Sequence, residues 1–135
     1  MSQVADIVLI DDDDVYLFVV GHMCNTYWRD LNVVTITDGE LGINYLKKSK
    51  EDNIQLPKLI LLDINMPYLD GWGFLNAFRS QEIDKQEEIT IFMVTSSNRS
   101  CDKKRMESYP EINGFILKPV RKKELHQLLD SVFKK

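Results

Sequence analysis

The stretch Leu59-Ile60-Leu61-Leu62-Asp63-Ile64-Asn65-Met66-Pro67 runs through four apolar residues without alternation and then meets an acid. A short unbroken apolar run closed by polar and turn residues is the pattern of a strand buried on both faces of a parallel sheet. Ile7–Ile10, Val33–Ile36, Ile89–Val94 and Phe115–Leu117 read the same way. The segments between these runs are long enough for crossover helices. The alternation therefore predicts an α/β protein, a parallel sheet with helices on both faces.

The intervening segments differ in how strongly they read as helices. Leu125, Leu128, Leu129, Val132 and Phe133 form one apolar stripe at helical spacing, and Phe74, Leu75 and Phe78 form a shorter one after Asp70-Gly71. Val15–Trp28 is apolar on most sides, which suggests a helix wedged deep against the sheet, although its β-branched content also suits a strand. Ser100–Tyr109 is the weakest helix, with Met106 and Tyr109 as its apolar residues amid much charge, so it should be the easiest element to move. Pro57, Pro67, Pro110 and Pro119 all fall between elements, where proline ends structure without breaking it. No linker or repeat interrupts the pattern. We expect one domain over residues 1–135, its core about 5–134, with no output domain.

Composition narrows the function. The chain has 135 residues, 44% hydrophobic and 28% charged, as in an ordinary globular protein. A domain of that size buries roughly two-thirds of the surface its unfolded chain exposes and needs no staples. Cys24 and Cys101 are too few for a disulfide framework or a thiolate metal site and read as reduced structural thiols. The net charge of −4 offers no general footprint for nucleic acid. Lys103-Lys104-Arg105 and Arg121-Lys122-Lys123 read first as solvated helix faces and ends, and second as part of a partner-binding surface. No signal peptide is apparent, and Leu59–Leu62 and Val15–Val20 are far too short to cross a bilayer. The expected location is cytoplasmic, with neither nucleic acid nor membrane as partner.

In open parallel sheets ligands bind outside the carboxyl ends of the strands. The first run ends in Asp11-Asp12-Asp13-Asp14, the third in Asp63, the fourth in Thr95-Ser96-Ser97 and the fifth in Lys118-Pro119. Converging carboxylates repel: two unit charges ~4 Å apart cost about 4 kcal/mol at an effective dielectric near 20. The site must take up protons or hold a cation, and Lys118 alone cannot balance Asp11, Asp12 and Asp63. A divalent ion with oxygen ligands completes the balance, and a phosphoryl group could then lie between metal, lysine and a hydroxyl. An aspartate after a strand is often only a turn residue or helix cap, which suits Asp13 or Asp14, Asp38 and Asp70. It suits Asp11, Asp12 and Asp63 poorly, because they end two strands that should be neighbours.

Taken together, Val8-Leu9-Ile10-Asp11-Asp12-Asp13, Leu61-Leu62-Asp63-Ile64-Asn65-Met66-Pro67, Asp70-Gly71, Val94-Thr95-Ser96 and Phe115-Ile116-Leu117-Lys118-Pro119 resemble the receiver domain of two-component response regulators. The resemblance runs from about Asp6 to the last helix and is to the stand-alone, chemotaxis-regulator-like form, with a chemotaxis-type regulator and a phosphorelay intermediate both left open. It implies a flavodoxin-like (βα)5 fold, doubly wound, with strand order 2-1-3-4-5. It implies Asp63 as phosphoacceptor and magnesium as cofactor, with manganese as the other candidate ion. Asp12 and Asp63 would bind the ion directly with the backbone carbonyl of Asn65, and Asp11 through water. Thr95 and Lys118 would contact the phosphoryl oxygens, joined by backbone N–H groups of Asn65 and Ser96. A cis Lys118–Pro119 bond is implied, as is a switch in which Thr95 and the aromatic Phe115 bias the surface of the fourth helix, fifth strand and fifth helix. The implied partners are a histidine kinase or phosphotransfer domain and a downstream protein at that surface. The chain would catalyse only its own phosphorylation and dephosphorylation. Gly42 and Trp72 depart from the commonest family residues, and Asn65 and Ser97 stand at variable positions that affect phosphoryl lifetime.

Two other readings compete. A metal-dependent phosphohydrolase of the aspartyl-phosphate type also needs acids, a hydroxyl and a lysine, but usually carries its nucleophile on the first strand in an Asp-x-Asp pattern with a cap domain. A nucleotide or flavin binder needs a glycine-rich loop after the first strand, where this chain has four aspartates. His22 and His126 fall within helical stretches, and Trp28 and Trp72 read as packing residues.

Overall fold

Five strands and five helices alternate along the chain: β1 (Ile7–Ile10), α1 (Asp14–Tyr27), β2 (Val33–Ile36), α2 (Gly39–Glu51), β3 (Leu59–Asp63), α3 (Gly71–Ser80), β4 (Thr90–Thr95), α4 (Ser100–Met106), β5 (Ile112–Leu117) and α5 (Lys122–Phe133). The structure, a computed structural model, describes residues 4–96 and 100–134. The strands form one sheet in the order β2-β1-β3-β4-β5, and every pairing is parallel. This is the doubly wound order expected above.

Alternation along each strand splits the core into two layers. Val8, Ile10, Ile60, Leu62, Ile91 and Met93 face a layer closed by α2 and α3 through Leu46, Phe74 and Phe78. Ile7, Leu9, Leu59, Leu61, Val94 and Ile116 face the opposite layer, closed by α1 and α5 through Leu17, Val20, Leu125 and Leu129. The central strands are therefore covered on both sides, which is why their residues show no apolar–polar alternation.

Three aspartates start helices. Asp13 accepts hydrogen bonds from the N–H groups of Val15 and Tyr16, Asp38 from Leu41 and Asp70 from Gly73. Each satisfies donors that the first helical turn leaves orphaned. These three acids thereby serve as helix caps.

Two elements differ from expectation. The segment after β1 is a helix but is not wedged deep: Leu17, Val20 and Cys24 are buried, while Val15, Phe18 and Val19 are exposed, Phe18 at 77%. A helix lying on a sheet buries one stripe, and among the described residues no further layer covers the outer side of α1. Strand β5 begins at Ile112, before the apolar run, because Asn113 and Gly114 belong to it. Asn113 Oδ1 accepts from the N–H of Ile91 where the β4–β5 register shifts, and a Cβ at Gly114 would lie 2.7 Å from the Phe92 ring.

Candidate functional site

The carboxyl ends of β1, β3, β4 and β5 meet at one edge of the sheet. Register places Asp63 opposite Val94, so Thr95 stands one residue beyond it, and Thr95 pairs with Leu117, the residue before Lys118. The backbone N–H of Lys118 donates to the Thr95 carbonyl at 2.8 Å, and the Lys118–Pro119 bond is cis. Carboxylate oxygens of Asp11, Asp12 and Asp63 lie within 4.8 Å of one another. Asp11 is fully buried, Asp63 is 5% exposed and Thr95 is buried, whereas Asp12 is exposed and forms the solvent side of the cluster. Asn65 and Ser96 are exposed. Ser97, the other variable position, lies outside the described residues.

Lys118 joins the acids: its Nζ is 2.8 Å from Asp11 Oδ2 and 3.6 Å from Asp63 Oδ1. Asp11 Oδ1 accepts from the N–H of Asp13 at 2.9 Å. Asp11 Oδ2 is buried and has Lys118 as its ion-pair partner, with no further partner among the described residues. Burial, followed by the neighbouring Asp11 charge, pushes the Asp63 carboxyl up to about 6, against the opposing pull of Lys118. Burial also raises Asp11. For Lys118 burial works downward but is outweighed by Asp11 and Asp63, so its ammonium is held above the usual range. Among the described residues one cation thus shares the pocket with three acids, and burial holds two of them, Asp11 and Asp63, toward their protonated forms. The donor set is all carboxylate oxygen, partly open to solvent through Asp12, with one buried oxygen that has no partner beyond Lys118 among the described residues. These residues fit a hard divalent ion that keeps some of its waters.

Tyr16 is part of this pocket, which sequence reasoning missed. Its ring lies under Lys118 Nζ at 4.6 Å, and its buried hydroxyl, raised by burial and by Asp11 and Asp63, has no hydrogen-bond partner among the described residues. Its position in the first turn of α1, just after the aspartates, was the available signal. A cavity of about 400 Å³ opens beside it, lined by Val15, Val19, Pro119 and Val120. A larger cavity, of about 730 Å³, lies at the other end of the sheet near Ile89 and Pro110, where Arg79 is committed to Glu111 at 2.7 Å. It is remote from the acids.

Of the remaining residues, Phe115 is half-buried on β5. His22 is exposed, and His126 Nε2 lies 3.1 Å from the Met23 carbonyl, so His126 belongs to the α1–α5 contact. Trp28 is exposed and Trp72 is buried. Burial pushes the Cys24 thiol up to about 12, as befits an inert core residue. The side chain of Cys101 lies outside the described residues.

The loop after Asp63 returns tightly. Gly71 N–H donates to the Ile64 carbonyl at 2.8 Å, and a Cβ on Gly71 would lie 2.7 Å from the Asp63 carbonyl oxygen and 2.9 Å from Ile64 Cα. Both neighbours are backbone and cannot rotate away. Gly71→Ala is expected to lose about 1–3 kcal/mol in urea denaturation, the range for overpacking a close contact. An unchanged unfolding midpoint would show that the loop relaxes freely.

The family pattern described as "Response regulator receiver domain" matches residues 7–130. Among curated relatives, the probable transcriptional regulator ycf27 of Porphyra purpurea is 27% identical over 99% of this chain, which spans only 49% of that protein. A two-component response regulator from Legionella pneumophila superposes with a TM-score of 0.82 at 28% identity, covering 97% of this chain and 99% of the other. One from Cytophaga hutchinsonii gives 0.84 at 24% identity, covering 99% and 100%, which speaks to the fold. No described helix is long and apolar enough to cross a membrane. With sheet order and family pattern in agreement over nearly the whole chain, the chain belongs to the response regulator receiver domain family, the phosphoacceptor switches of two-component signalling.

Proposed function

We propose that Asp63 accepts a phosphoryl group from a histidine kinase or phosphotransfer domain and that Asp11, Asp12, Asp63 and the Asn65 carbonyl hold magnesium or manganese beside it. The observation that carries this reading is the convergence of three carboxylates within 4.8 Å, with Lys118 in contact with two of them. A bound divalent ion would supply the positive charge that the carboxylates and an incoming phosphoryl group require.

The chain's own residues then have separable tasks. The ionised Asp63 oxygen attacks phosphorus; as that P–O bond forms, the P–N bond to the donor imidazole breaks and the ring takes up a proton from solvent. Lys118 stays protonated and moves its charge from Asp63 toward the new phosphoryl oxygens. Thr95 donates its hydroxyl to another oxygen, and the backbone N–H groups of Asn65 and Ser96 complete the cradle. Stabilisation of this kind comes from positioned charge. Output follows from the Thr95–Phe115 pair, which biases the α4–β5–α5 surface toward a downstream protein by no more than phosphorylation favours one state over the other. The chain promotes its own phosphorylation and dephosphorylation and turns over no external substrate.

The test is incubation with magnesium and a small phosphodonor, followed by intact mass. One phosphoryl adduct is expected, absent when a chelator is added first. Lys118→Ala should keep some adduct while losing much of the conformational response. An adduct formed equally well in chelator would remove the metal from this account. Multiple turnover of a phosphorylated metabolite would instead favour a phosphohydrolase.

A further inference from the structure

Helix α4 is short, and among its described side chains Lys103, Lys104 and Arg105 are exposed while Met106 is the apolar one packed on the core. Among these described side chains little apolar burial fastens the helix to the sheet, yet two of its cations are seated on aromatic rings. Lys103 Nζ lies 5.2 Å from the centroid of Phe115 on β5, and Arg105 Cζ lies 4.6 Å from that of Trp72 on α3. Trp72 is only 3% exposed and also meets the Tyr109 ring at 5.3 Å, so the guanidinium covers a ring that is otherwise enclosed. Tyr109 is fixed in turn by Asn76, which accepts its hydroxyl at 3.0 Å, and by Arg79, 5.3 Å from its centroid.

The two rings connect to the acid pocket by different routes. Phe115 is on β5, which ends at Leu117, the residue before Lys118. Trp72 follows Gly71, the residue packed against the Asp63 carbonyl. We infer that Lys103 and Arg105 are positioning residues that seat α4 in the unphosphorylated protein, and that Arg105 on Trp72 couples α4 to the loop after Asp63 independently of Thr95 and Phe115. The coupling rests on the phosphoacceptor reading; the seat does not. A cation on a ring at an exposed site contributes enough to change a local opening equilibrium by about two- to fivefold. Neutralising both should change it by about tenfold if they act independently.

The test uses the full chain in a Trp28→Phe background, which leaves Trp72 as its one indole. In unphosphorylated protein, Arg105→Met should raise amide exchange of residues 103–109 about two- to fivefold, Lys103→Met similarly, and Arg105→Lys should restore most of the protection. Equal exchange in Arg105→Met and parent would overturn the seat, because methionine keeps an unbranched apolar stem of similar reach and removes the guanidinium that covers the ring. On phosphorylation, Trp72 emission should change in the parent and stay constant in Arg105→Met, with intact mass showing the adduct in both. An emission change that survives Arg105→Met would overturn the second coupling. Absence of any adduct would count against the phosphoacceptor reading, and the exchange comparison would still decide the seat.

Discussion

Asp63→Asn will take up no phosphoryl group from a small phosphodonor under conditions that load the parent protein to one adduct. The amide is nearly the same size as the carboxylate and should leave the surrounding fold intact, so the loss isolates chemistry from structure. A neutral amide is a poor nucleophile toward phosphorus and gives a metal one oxygen where the carboxylate offered two. Asp11 cannot take over, because it is fully buried and tied to Lys118 and the Asp13 N–H. Asp12 is exposed and forms the solvent side of the cluster, whereas Thr95 is buried. Intact mass checks this directly; an adduct persisting in Asp63→Asn at parental yield would mean that the acceptor lies elsewhere.

The second large effect concerns stability without metal. The Asp63 carboxyl is pushed from 3.8 up to about 6, chiefly by burial and then by Asp11. A group whose folded value is raised contributes stability that is complete below the unfolded value and is lost as pH rises through the folded one. In chelator, the parent should therefore become less stable between about pH 4 and pH 6 by about 3 kcal/mol at this group, an order-of-magnitude figure for a shift near two units. Raised Asp11 acts in the same direction. Asp63→Asn carries no such charge and should lack most of that slope, so near neutral pH it should be more stable than the parent in chelator. Added magnesium should narrow the gap, since an ion bound to ionised carboxylates stabilises the parent by mass action. Urea denaturation at pH 5 and pH 7.5, with chelator and with magnesium, measures all of this. Parallel pH profiles for parent and variant would show that Asp63 is not under charge strain.

What could be read from residues alone follows a physical division. The sheet was legible because strands buried on both faces leave unbroken apolar runs, and the acid pocket because Asp11, Asp63, Thr95 and Lys118 each stand where such a run stops. The start of β5 was not, since Asn113 and Gly114 are there for a register shift and for room beside the Phe92 ring, neither of which has a periodic signature. The depth of α1 was misjudged because apolar residues do not say whether a neighbour exists to cover them; Val15 and Phe18 have none among the described elements. Tyr16 and the seat of α4 depend on distances between segments far apart in sequence. Lys103 and Arg105 read as solvated charges, and only the fold sets Phe115 and Trp72 beneath them.

If Asp63 carries the phosphoryl group, trypsin separates it cleanly from Asp11 and Asp12. Met1–Arg29 holds Asp11 and Asp12, whereas Leu59–Arg79 holds Asp63, with no internal Lys or Arg in either peptide. The parent protein, phosphorylated in magnesium, is treated with borohydride to reduce the acyl phosphate, digested and sequenced by fragmentation. A modified residue at Asp63 within Leu59–Arg79 is expected; modification at Asp11 or Asp12, or at Asp70 in the same peptide, would overturn Asp63 as the acceptor.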